Sequence, residues 1–450
     1  MSSLRLALAS FAARAAGALL RLTGSGGTSA PGKILLALAP GAIAQRSAAL
    51  ERGCAVISAT NGKTTTSAIA AEIMQRDGAA LVHNRAGANM AGGIAATLND
   101  QHGDFGLFEV DEFWLAILVA ELHPRSVLMA NLFRDQLDRY GELDEIVARW
   151  RQVAISPAVG RIVLNADDPL IAGLGSGVDG ALYFGIEDET VGSEQAQHAS
   201  EQACCPVCAE QFSYSRYFVG HLGHYYCAKG HPGRPKVDVG ASEITANGLG
   251  GSSFTLTIGG NSYRAELAMP GLYNVYNALA AAALANSLGV SDETIIAGIA
   301  NASPAFGRAE SLSVDGRECS IMLIKNPAGT NEVLKTLTSD QASRDLLIVL
   351  NDQIADGRDI SWIWDADFEQ LAGSGRPITC SGSRAVELGL RLKYAGVDPA
   401  MIRVEAELPE AFAAALDGGA ERLVILPTYT AMLEVRELLV ARGAAAGSFA

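Results

Sequence analysis

The sequence predicts an α/β protein with two parallel-sheet domains and a small cysteine-rich ribbon inserted into the first of them. Between about residues 33 and 190, short apolar runs alternate with helix-length segments. This alternation is typical of parallel strands joined by crossover helices. The same pattern restarts near residue 314. Between the two stretches, four of the seven cysteines fall in one short window: Cys204, Cys205, Cys208 and Cys227.

The composition is that of a folded protein with large buried cores. Of the 450 residues, 49% are hydrophobic and 18% are charged, which excludes a disordered or low-complexity chain. Lys and Arg number 34 against 49 Asp and Glu, so the net charge is −15. Phosphate binding by nucleic-acid-binding proteins rests on clustered cations, so the acidic balance argues against nucleic acid as the main partner.

The first segment, residues 1–32, is apolar but is interrupted by Arg5, Arg14 and Arg21. No arginine-free run reaches the roughly 18–20 residues that a membrane-spanning helix needs. An arginine inside the apolar stretch is also untypical of a signal peptide. The segment therefore predicts an amphipathic helix that either packs on the protein body or touches a membrane surface. Without an export signal and with clustered thiols, we expect a cytoplasmic protein, or one at the inner face of the membrane.

Residues 33–313 are predicted to form the first domain, with residues 204–236 as its inserted ribbon. Residues 241–267 alternate around glycine turns and predict antiparallel strands that return to the same domain, before an alanine-rich helix. The predicted strands before the ribbon are KILLAL (33–38), CAVISAT (54–60), FGLFEVDE (105–112), SVLMANL (126–132), RIVLNADD (161–168) and ALYFGI (181–186).

Residues 314–450 are predicted to form the second α/β domain. Each of its apolar runs is followed by a segment of helical composition, as in the first domain. Its predicted strands are IMLIKN (321–326), DLLIVLND (345–352), PITCSGS (377–383), MIRVEAE (401–407) and RLVILPT (422–428).

A phosphate-binding loop is predicted in VISATNGKTTTS, residues 56–67, where an apolar strand meets a small polar turn and then a helix. Backbone N–H groups of such a turn and of the helix N-terminus bind phosphate oxygens. Gly62 allows close approach, Lys63 can reach the β- and γ-phosphates, and the Thr64 hydroxyl can bind Mg²⁺. The general signature asks for glycine five residues before Gly62, where this chain has Ile57. The alternative is an ordinary strand–turn–helix.

Acidic residues recur where predicted strands end. Glu109, Asp111 and Glu112 follow the strand in FEVDE, at the carboxyl edge where ligands collect in open α/β sheets. Carboxylate oxygens there suit Mg²⁺. An acid at such a place is otherwise a helix cap or part of a solvated turn. Further polar groups follow later strands: Asn131, Asp135, Asp138, Asp167 and Asp168.

Taken in order, TNGKTTT, FEVDE, NLFRDQLDRYG, LNADDP, GLYNVYNALAA and FGRAE resemble the Mur ligase superfamily. Its members use ATP to convert a carboxylate into an acyl phosphate, which an amine then attacks. The resemblance begins at Ala59 and implies a Mur-ligase-type central ATPase domain with a parallel sheet, followed by a C-terminal Rossmann-like α/β domain.

Three features resemble one branch, the Mur-ligase-like subunit of lipid II isoglutaminyl synthase. The phosphate loop comes early, so we expect no separate UDP-binding domain before it. The other two features are the cysteine ribbon and the run NDQIADGRDISWIWDADFE (351–369). The branch implies that ATP activates the α-carboxylate of D-glutamate in the stem peptide of lipid II, or of a related peptidoglycan precursor. Ammonia then gives D-isoglutamine.

The resemblance also implies site residues. Thr64 and Glu109 would support Mg²⁺, with Glu109 counted among the catalytic residues. Lys325 and Asn326 stand where many Mur ligases have an aspartate near the ribose, and Gln136 stands where they have a histidine. The implied ATP-binding residues are Thr60, Asn61, Gly62, Lys63, Thr64, Thr65, Asn274, Asn277 and Arg308.

The cysteine cluster predicts a structural zinc site. Cys205 and Cys208 form a CxxC knuckle, and Cys227 follows after 18 residues, a spacing that suits tetrahedral Zn²⁺. A second CxxC would require cysteine at position 230, which is glycine. His231 is therefore the predicted fourth ligand, with Cys204 as the alternative. A ribbon without metal, or with a disulfide, remains the competing interpretation.

The acidic run after the strand DLLIVL predicts a functional surface, because acids alternate there with Trp362 and Trp364. The resemblance implies a partner, a class I glutamine amidotransferase subunit (GatD-like) that supplies ammonia within a heterodimer. One aspartate of this run would orient the catalytic histidine of that glutaminase. Asp356 is the first choice, with Asp352 and Asp359 behind it. The alternative is loop capping at an interface without catalysis.

Two other functions compete with this interpretation. One is a ligase of the superfamily that adds an amino acid, such as a folylpolyglutamate synthase. The ribbon and the run ADGRDISWIWD argue against it. The other is a nucleotide-binding scaffold with a degenerate site, against which the intact GKTTT and Glu109 argue.

Overall fold

The structure is a computed structural model that describes residues 3–22, 29–84, 88–134, 143–197, 203–304, 308–339, 343–373 and 375–444. Its first eleven strands are β1 (Gly53–Ser58), β2 (Leu81–His83), β3 (Phe105–Glu109), β4 (Ser126–Met129), β5 (Ile162–Asn165), β6 (Leu182–Ile186), β7 (Ser213–Val219), β8 (Leu222–Tyr226), β9 (Val239–Ala246), β10 (Ser252–Ile258) and β11 (Asn261–Leu267).

Nine of these strands form one sheet, in the order β11-β10-β9-β6-β5-β4-β1-β3-β2. The seven strands from β9 to β2 are parallel, and β9, β10 and β11 are antiparallel. The predicted antiparallel return to the first sheet is therefore confirmed. Strands β7 and β8 form a separate antiparallel hairpin within the cysteine-rich insertion, and Tyr217 of β7 also bridges to Ser193.

Helices cover both faces of the large sheet, as a mostly parallel sheet requires. Strand β1 shows how its residues divide, because Ile57 packs with one cluster and Val56 with the other. The helices described here are α1 (Ser3–Leu22), α2 (Ala30–Leu38), α3 (Ala42–Ser47), α4 (Lys63–Arg76), α5 (Ala91–Asp100), α6 (Leu115–Leu122), α7 (Leu143–Ala154), α8 (Pro169–Leu174), α9 (Leu272–Ser287) and α10 (Asp292–Asn301).

A second, six-stranded sheet has the order β12-β13-β17-β14-β15-β16 and is parallel except for β12. The predicted second run of parallel strands is confirmed. Its elements are β12 (Arg308–Val314), β13 (Arg317–Met322), α11 (Pro327–Ser339), β14 (Arg344–Val349), β15 (Ile378–Ser381), α12 (Ala385–Tyr394), β16 (Ile402–Val404), α13 (Leu408–Leu416), β17 (Arg422–Pro427) and α14 (Tyr429–Ala441).

The prediction of a strand over residues 33–38 is wrong, because these residues lie in helix α2. A short apolar run has no periodicity that distinguishes a strand from a buried helix. Pro31 in the first turn favours the helix, since its fixed φ suits that position and its missing N–H is not needed there. Leu35 is fully buried, and α2 packs between α1 and α5.

The predicted N-terminal helix is confirmed as α1, a helix of 20 residues that packs on α2. Among the residues that the structure describes, no helix combines the length and apolar character needed to cross a bilayer. Ala9 and Ala13 form the buried side of α1.

Asp167, after strand β5, joins the cysteine-rich insertion to the large sheet. Its carboxylate is fully buried and accepts hydrogen bonds from Arg234 Nε at 2.5 Å, from Tyr276 Oη at 2.7 Å and from the N–H of Ile186 at 2.8 Å. Arg234 belongs to the insertion, Tyr276 to α9 and Ile186 to β6. Three parts of the chain therefore depend on one carboxylate.

Replacing Asp167 by alanine should lower the free energy of unfolding by about 3–5 kcal/mol, because Arg234 would keep only the half-exposed Glu187 as an ionic partner and Tyr276 and Ile186 would lose their buried acceptor. Urea unfolding followed by circular dichroism measures this loss. The control is Glu145→Ala, which removes an exposed ion pair with Arg149 on α7 and should cost no more than about 1 kcal/mol. Equal losses in the two variants would contradict this account.

Candidate functional site

The phosphate loop lies at the carboxyl edge of the large sheet. Strand β1 ends at Ser58 and α4 begins at Lys63, with β3 and β4 as the neighbours of β1. The residues that follow these strands therefore meet around one turn. Gly62 has a φ of +83°, and a Cβ there would lie 2.0 Å from Oδ1 of Asn277. Both the backbone conformation and the close approach require glycine at this position.

Lys63 is held among carboxylates at the start of α4. Its Nζ lies 2.9 Å from Oε2 of Glu112 and also donates to the carbonyl oxygen of Ala59. Burial alone would lower the pKa of Lys63, but the charges of Glu112 and Glu109 raise it above its usual value. The ammonium is therefore retained, and it faces the turn where an anion would bind.

Thr64 and Glu109 form the neighbouring pair. The Thr64 hydroxyl donates to Oε1 of Glu109 at 3.2 Å, and the Glu109 side chain is almost fully buried. The amide of Asn84 exchanges hydrogen bonds with the backbone of Glu109, which fixes the end of β3. A hydroxyl and carboxylate oxygens at this separation are a suitable donor set for Mg²⁺.

Thr60 and Asn61 hold the turn in place by contacts with the surrounding loops. The Asn61 N–H donates to Oδ1 of Asn131 at 2.9 Å, and the N–H of Phe133 donates to the Thr60 hydroxyl at 3.1 Å. From the second sheet, Lys325 Nζ donates to the carbonyl oxygen of Thr60 at 3.1 Å. The phosphate loop is thus contacted by both parts of the chain.

Asn274 and Asn277 lie on α9 behind the phosphate loop. Asn277 Oδ1 accepts a hydrogen bond from the Thr66 hydroxyl at 3.2 Å, and its Nδ2 donates to Oδ1 of Asn274 at 2.9 Å. Asn274 in turn donates to the carbonyl oxygen of Pro270. Asn277 borders the cavity beside the loop, whereas Asn274 orients Asn277 from behind.

A cavity opens between the phosphate loop and the second sheet. Thr65 borders it, as do Glu332 on α11, Phe133, and Val219 and Leu222 at the tip of the β7–β8 hairpin. Other lining residues are Asn61, Gly62, Asn131, Tyr273, Tyr276, Asn277, Met322, Leu323, Lys325, Ala328, Gly329 and Val333. The cavity has the apolar walls and few polar groups typical of a small-molecule site.

Glu332 and the hairpin tip are cavity residues that sequence reasoning missed. Burial raises the pKa of Glu332, although Lys335 and a hydrogen bond from Gln197 oppose this effect. Glu332 lies seven residues after Lys325, on the helix that follows it. Its closeness in sequence to a predicted site residue was the one signal that could have placed Glu332 at the site. Nothing in the sequence links Val219 and Leu222 to a phosphate loop more than 150 residues earlier.

The remaining predicted site residues divide into two groups. Strand β12 begins at Arg308, whose side chain lies outside the described part of the structure. Asp135, Gln136 and Asp138 also fall outside the described residues. Asp168 caps helix α8 by accepting from the N–H of Leu170 at 2.9 Å, which agrees with the alternative interpretation of that acid as a cap.

The structure brings four of the predicted metal ligands together. The donor atoms of Cys205, Cys208, Cys227 and His231 all lie within 4.8 Å of one another. Cys208 Sγ is 3.6 Å from Cys227 Sγ, and His231 Nδ1 is 3.6 Å from Sγ of both Cys205 and Cys227. Cys204 is exposed and pairs with Gln211 through the backbone, outside this group.

The three aspartates of the acidic run differ in their surroundings. Asp356 is buried, and its carboxylate accepts from the N–H of Gln353 at 3.1 Å and from the N–H and hydroxyl of Thr430 at 2.7 and 2.5 Å. Asp352 accepts from the Ser383 hydroxyl and from Arg384, and these groups hold its pKa below the usual value. Asp359 is exposed and accepts from the N–H of Ser361, which lowers its pKa.

An exposed apolar surface adjoins this run, and we call it the α12 face. It consists of Val386, Leu390 and Tyr394, spaced four residues apart on α12, with Trp364. Between 47% and 70% of each residue is exposed. The rings of Trp364 and Tyr394 lie 6.0 Å apart. Side chains of this kind on a helix surface are typical of an interface with another protein.

Two family models match the chain. The Mur ligase middle domain matches residues 57–225, and the MurT ligase C-terminal model matches residues 323–432. Among solved structures, a pseudomurein peptide ligase type C from Methanothermus fervidus has a TM-score of 0.68 at 24% identity, over 87% of this chain and 79% of its own. MurF from Acinetobacter baumannii has a TM-score of 0.67 at 19% identity, over 91% and 80%. These likenesses establish the Mur ligase fold.

Curated relatives extend the similarity over almost the whole chain. The subunit MurT of lipid II isoglutaminyl synthase (glutamine-hydrolyzing) from Streptococcus pneumoniae R6 is 32% identical over 448 residues, 98% of each chain. The subunit of the same name from Staphylococcus aureus COL is 32% identical over 424 residues, 93% of this chain and 94% of its own. With the fold and both family models in agreement, this chain belongs to the MurT family of Mur-ligase-related proteins.

Proposed function

We propose that this protein is the synthetase subunit of a glutamine-dependent amidotransferase that acts on lipid II or a related peptidoglycan precursor. ATP converts the α-carboxylate of D-glutamate in the stem peptide into an acyl phosphate, and ammonia displaces the phosphate to give D-isoglutamine. The observation that carries this proposal is the similarity to MurT subunits over nearly the full chain, combined with an intact arrangement of Lys63, Thr64 and Glu109.

The phosphate loop residues bind and orient the triphosphate of ATP in this proposal. Backbone N–H groups at the start of α4 and the Lys63 ammonium attract the negative charge, and they are held in position before the reaction begins. Thr64 and Glu109 would hold Mg²⁺, which supplies positive charge at the transferring phosphoryl group. Asn277, held by Asn274, packs against Gly62 and keeps the phosphate loop in one conformation. The phosphates of ATP would therefore be held in one orientation for the reaction.

The nucleoside part of ATP occupies the cavity between the two sheets. Phe133, Tyr273 and Leu222 offer apolar surface for a base, while Glu332, Asn61 and Lys325 offer polar groups. Because Lys325 already contacts the Thr60 carbonyl, the second sheet can close over the nucleotide with little movement. Closure would exclude water from an acyl phosphate that water could otherwise hydrolyse.

The cysteine cluster would hold a structural zinc ion. A tetrahedral site with Zn–S bonds of about 2.3 Å has ligand atoms about 3.8 Å apart, close to the 3.6 Å between Cys208 and Cys227. All four ligands come from the protein, so no position remains for substrate. The zinc would therefore stabilise the insertion, whose hairpin tip borders the cavity.

A class I glutaminase subunit, GatD-like, is the proposed partner, and the α12 face is its proposed docking surface. Asp356 is our choice for the carboxylate that orients the glutaminase histidine. Such a carboxylate is buried and hydrogen-bonded by its own chain, as Asp356 is by Gln353 and Thr430. Each carboxylate oxygen has two lone pairs, so one more N–H can bind.

ATP-dependent amidation of a lipid-linked precursor would take place in the cytoplasm.

Gly62→Ala should weaken ATP binding by roughly a hundredfold or more, because its Cβ collides with an amide that Thr66 and Asn274 hold in place. Isothermal titration with ATP and Mg²⁺ measures the loss. Gly78→Ala is the matched control, since Gly78 has a φ of +81° and open space around the added methyl group. It carries the same backbone strain, so equal weakening in both variants would show that the collision is not the cause.

Purified protein should contain close to one equivalent of zinc by elemental analysis, and Cys208→Ser should lose most of it because one of four ligands is gone. Cys204→Ser is the control and should retain zinc. Less than about half an equivalent in the unmodified protein would refute the site, and equal loss in the two variants would refute the assignment of ligands.

Asp356→Asn should lower glutamine-dependent amidation of lipid II by about a thousandfold, by analogy with loss of the third member of a catalytic triad. Amidation with free ammonia should be retained. The measurement is product formation with each nitrogen source, and Asp398→Asn, at an exposed turn, is the control. Equal loss with both nitrogen sources would refute the role of Asp356. Release of ADP that requires an amino acid instead of ammonia would refute the proposed function itself.

A further inference from the structure

The outer side of helix α1 carries a row of exposed apolar side chains. Leu4, Leu8, Phe11 and Leu19 are 68%, 63%, 75% and 64% exposed. At about 100° per residue, they fall within an arc of roughly 80°, opposite the buried Ala9 and Ala13. We call these four residues the α1 row. The α1 row is distant in sequence from the α12 face, and the helices that carry them accompany different sheets.

The segment of sequence that carries the α1 row differs in charge from the rest of the chain. Residues 1–50 contain five basic residues (Arg5, Arg14, Arg21, Lys33 and Arg46) and no acidic residue. Their net charge of +5 contrasts with −20 for the other 400 residues, which together give −15. Such an excess of arginine and lysine in an acidic protein complements an anionic surface.

Two of these cations converge beside the row. Arg14 and Arg46 both donate to Asn99, to its carbonyl oxygen at 2.7 Å and to its Oδ1 at 2.8 Å. With Phe11 they line a groove between α1 and α3. Asp100 lies 3.8 Å from Arg14, and both side chains are about half exposed. A loose, solvated pair of this kind leaves the guanidinium able to bind a phosphate.

We propose that α1 is an interfacial anchor, which lays the α1 row into the surface of an anionic membrane while the neighbouring cations bind lipid phosphates. The inference rests on the proposed function, because a lipid-linked substrate brings the enzyme to the bilayer. Helices that combine an apolar row with flanking arginine and lysine bind in the plane of the membrane without crossing it. The cations make an anionic lipid surface a better match for this face than the same face of a second copy, which would place like charges opposite each other.

The experiment measures sedimentation of the full chain, co-purified with its glutaminase, together with phosphatidylglycerol–phosphatidylcholine vesicles. The double variant Leu8→Gln, Phe11→Gln should bind roughly tenfold more weakly or worse, because two apolar side chains no longer enter the bilayer. Vesicles of phosphatidylcholine alone should bind the unmodified complex on the order of a hundredfold more weakly, since several cations lose their partners. High salt should weaken binding to the anionic vesicles.

The control is Ile117→Gln, Ile155→Gln, which changes two exposed apolar residues outside α1 and should bind as the unmodified complex does. Thermal unfolding of each variant verifies the fold. Unchanged binding by the α1 variant, or equal binding to neutral vesicles, would overturn the inference. Loss of the glutaminase or of a dimer from the α1 variant would overturn it too, by assigning the row to a protein interface. None of these results depends on amidation, so a failure here is distinct from a failure of the proposed function.

Discussion

The position of β1 between β3 and β4 determines the arrangement of the site. Parallel strands end at the same edge of a sheet, so the turn after β1 meets Glu109 from one neighbour and Asn131 from the other. The close approach of α9 then fixes Gly62, since no side chain fits between the turn and Asn277. Lys63 keeps its charge because Glu112 and Glu109 surround it. The contacts with Glu109 and Asn131 need a neighbour on each side of β1, so at least one of them would be lost if β1 lay at an edge.

The second sheet and the cysteine-rich insertion complete the cavity from two directions. Lys325 and Asn326 contact Thr60 and Asn61, and Glu332 forms part of the wall. The β7–β8 hairpin reaches the same cavity with Val219 and Leu222, and Asp167 anchors the segment that carries this hairpin. The cysteine cluster lies at the other end of the insertion. A structural ion there would therefore support the cavity wall without contacting the nucleotide.

Two helices each carry a group of exposed apolar residues on one side, four on α1 and three on α12, and we assign the two groups different roles. The α12 face adjoins the acidic run in the second sheet, where Asp356 is buried and held by Thr430. The α1 row belongs to the part of the chain that contains the large sheet. It lies within residues 1–50, which include no acidic residue. The proposed docking surface for another protein and the proposed membrane anchor thus lie on different parts of the molecule.

The sequence by itself determined the fold class, the strand–turn–helix around GKTTT and the three cysteines that the cluster contains. These features are encoded locally, because alternating strands and helices, GKTTT and CxxC each require only neighbouring residues. Local pattern failed at residues 33–38, where an apolar run too short to show a period became the helix α2. Only the tertiary structure decided that Glu112 pairs with Lys63, that Glu332 and the hairpin tip border the cavity, and that His231 joins the cluster while Cys204 does not. Most of those contacts join residues that are distant in sequence, and Cys204 and His231 are alternatives for one place in the cluster. Packing between elements decides both, because it determines which side chains meet.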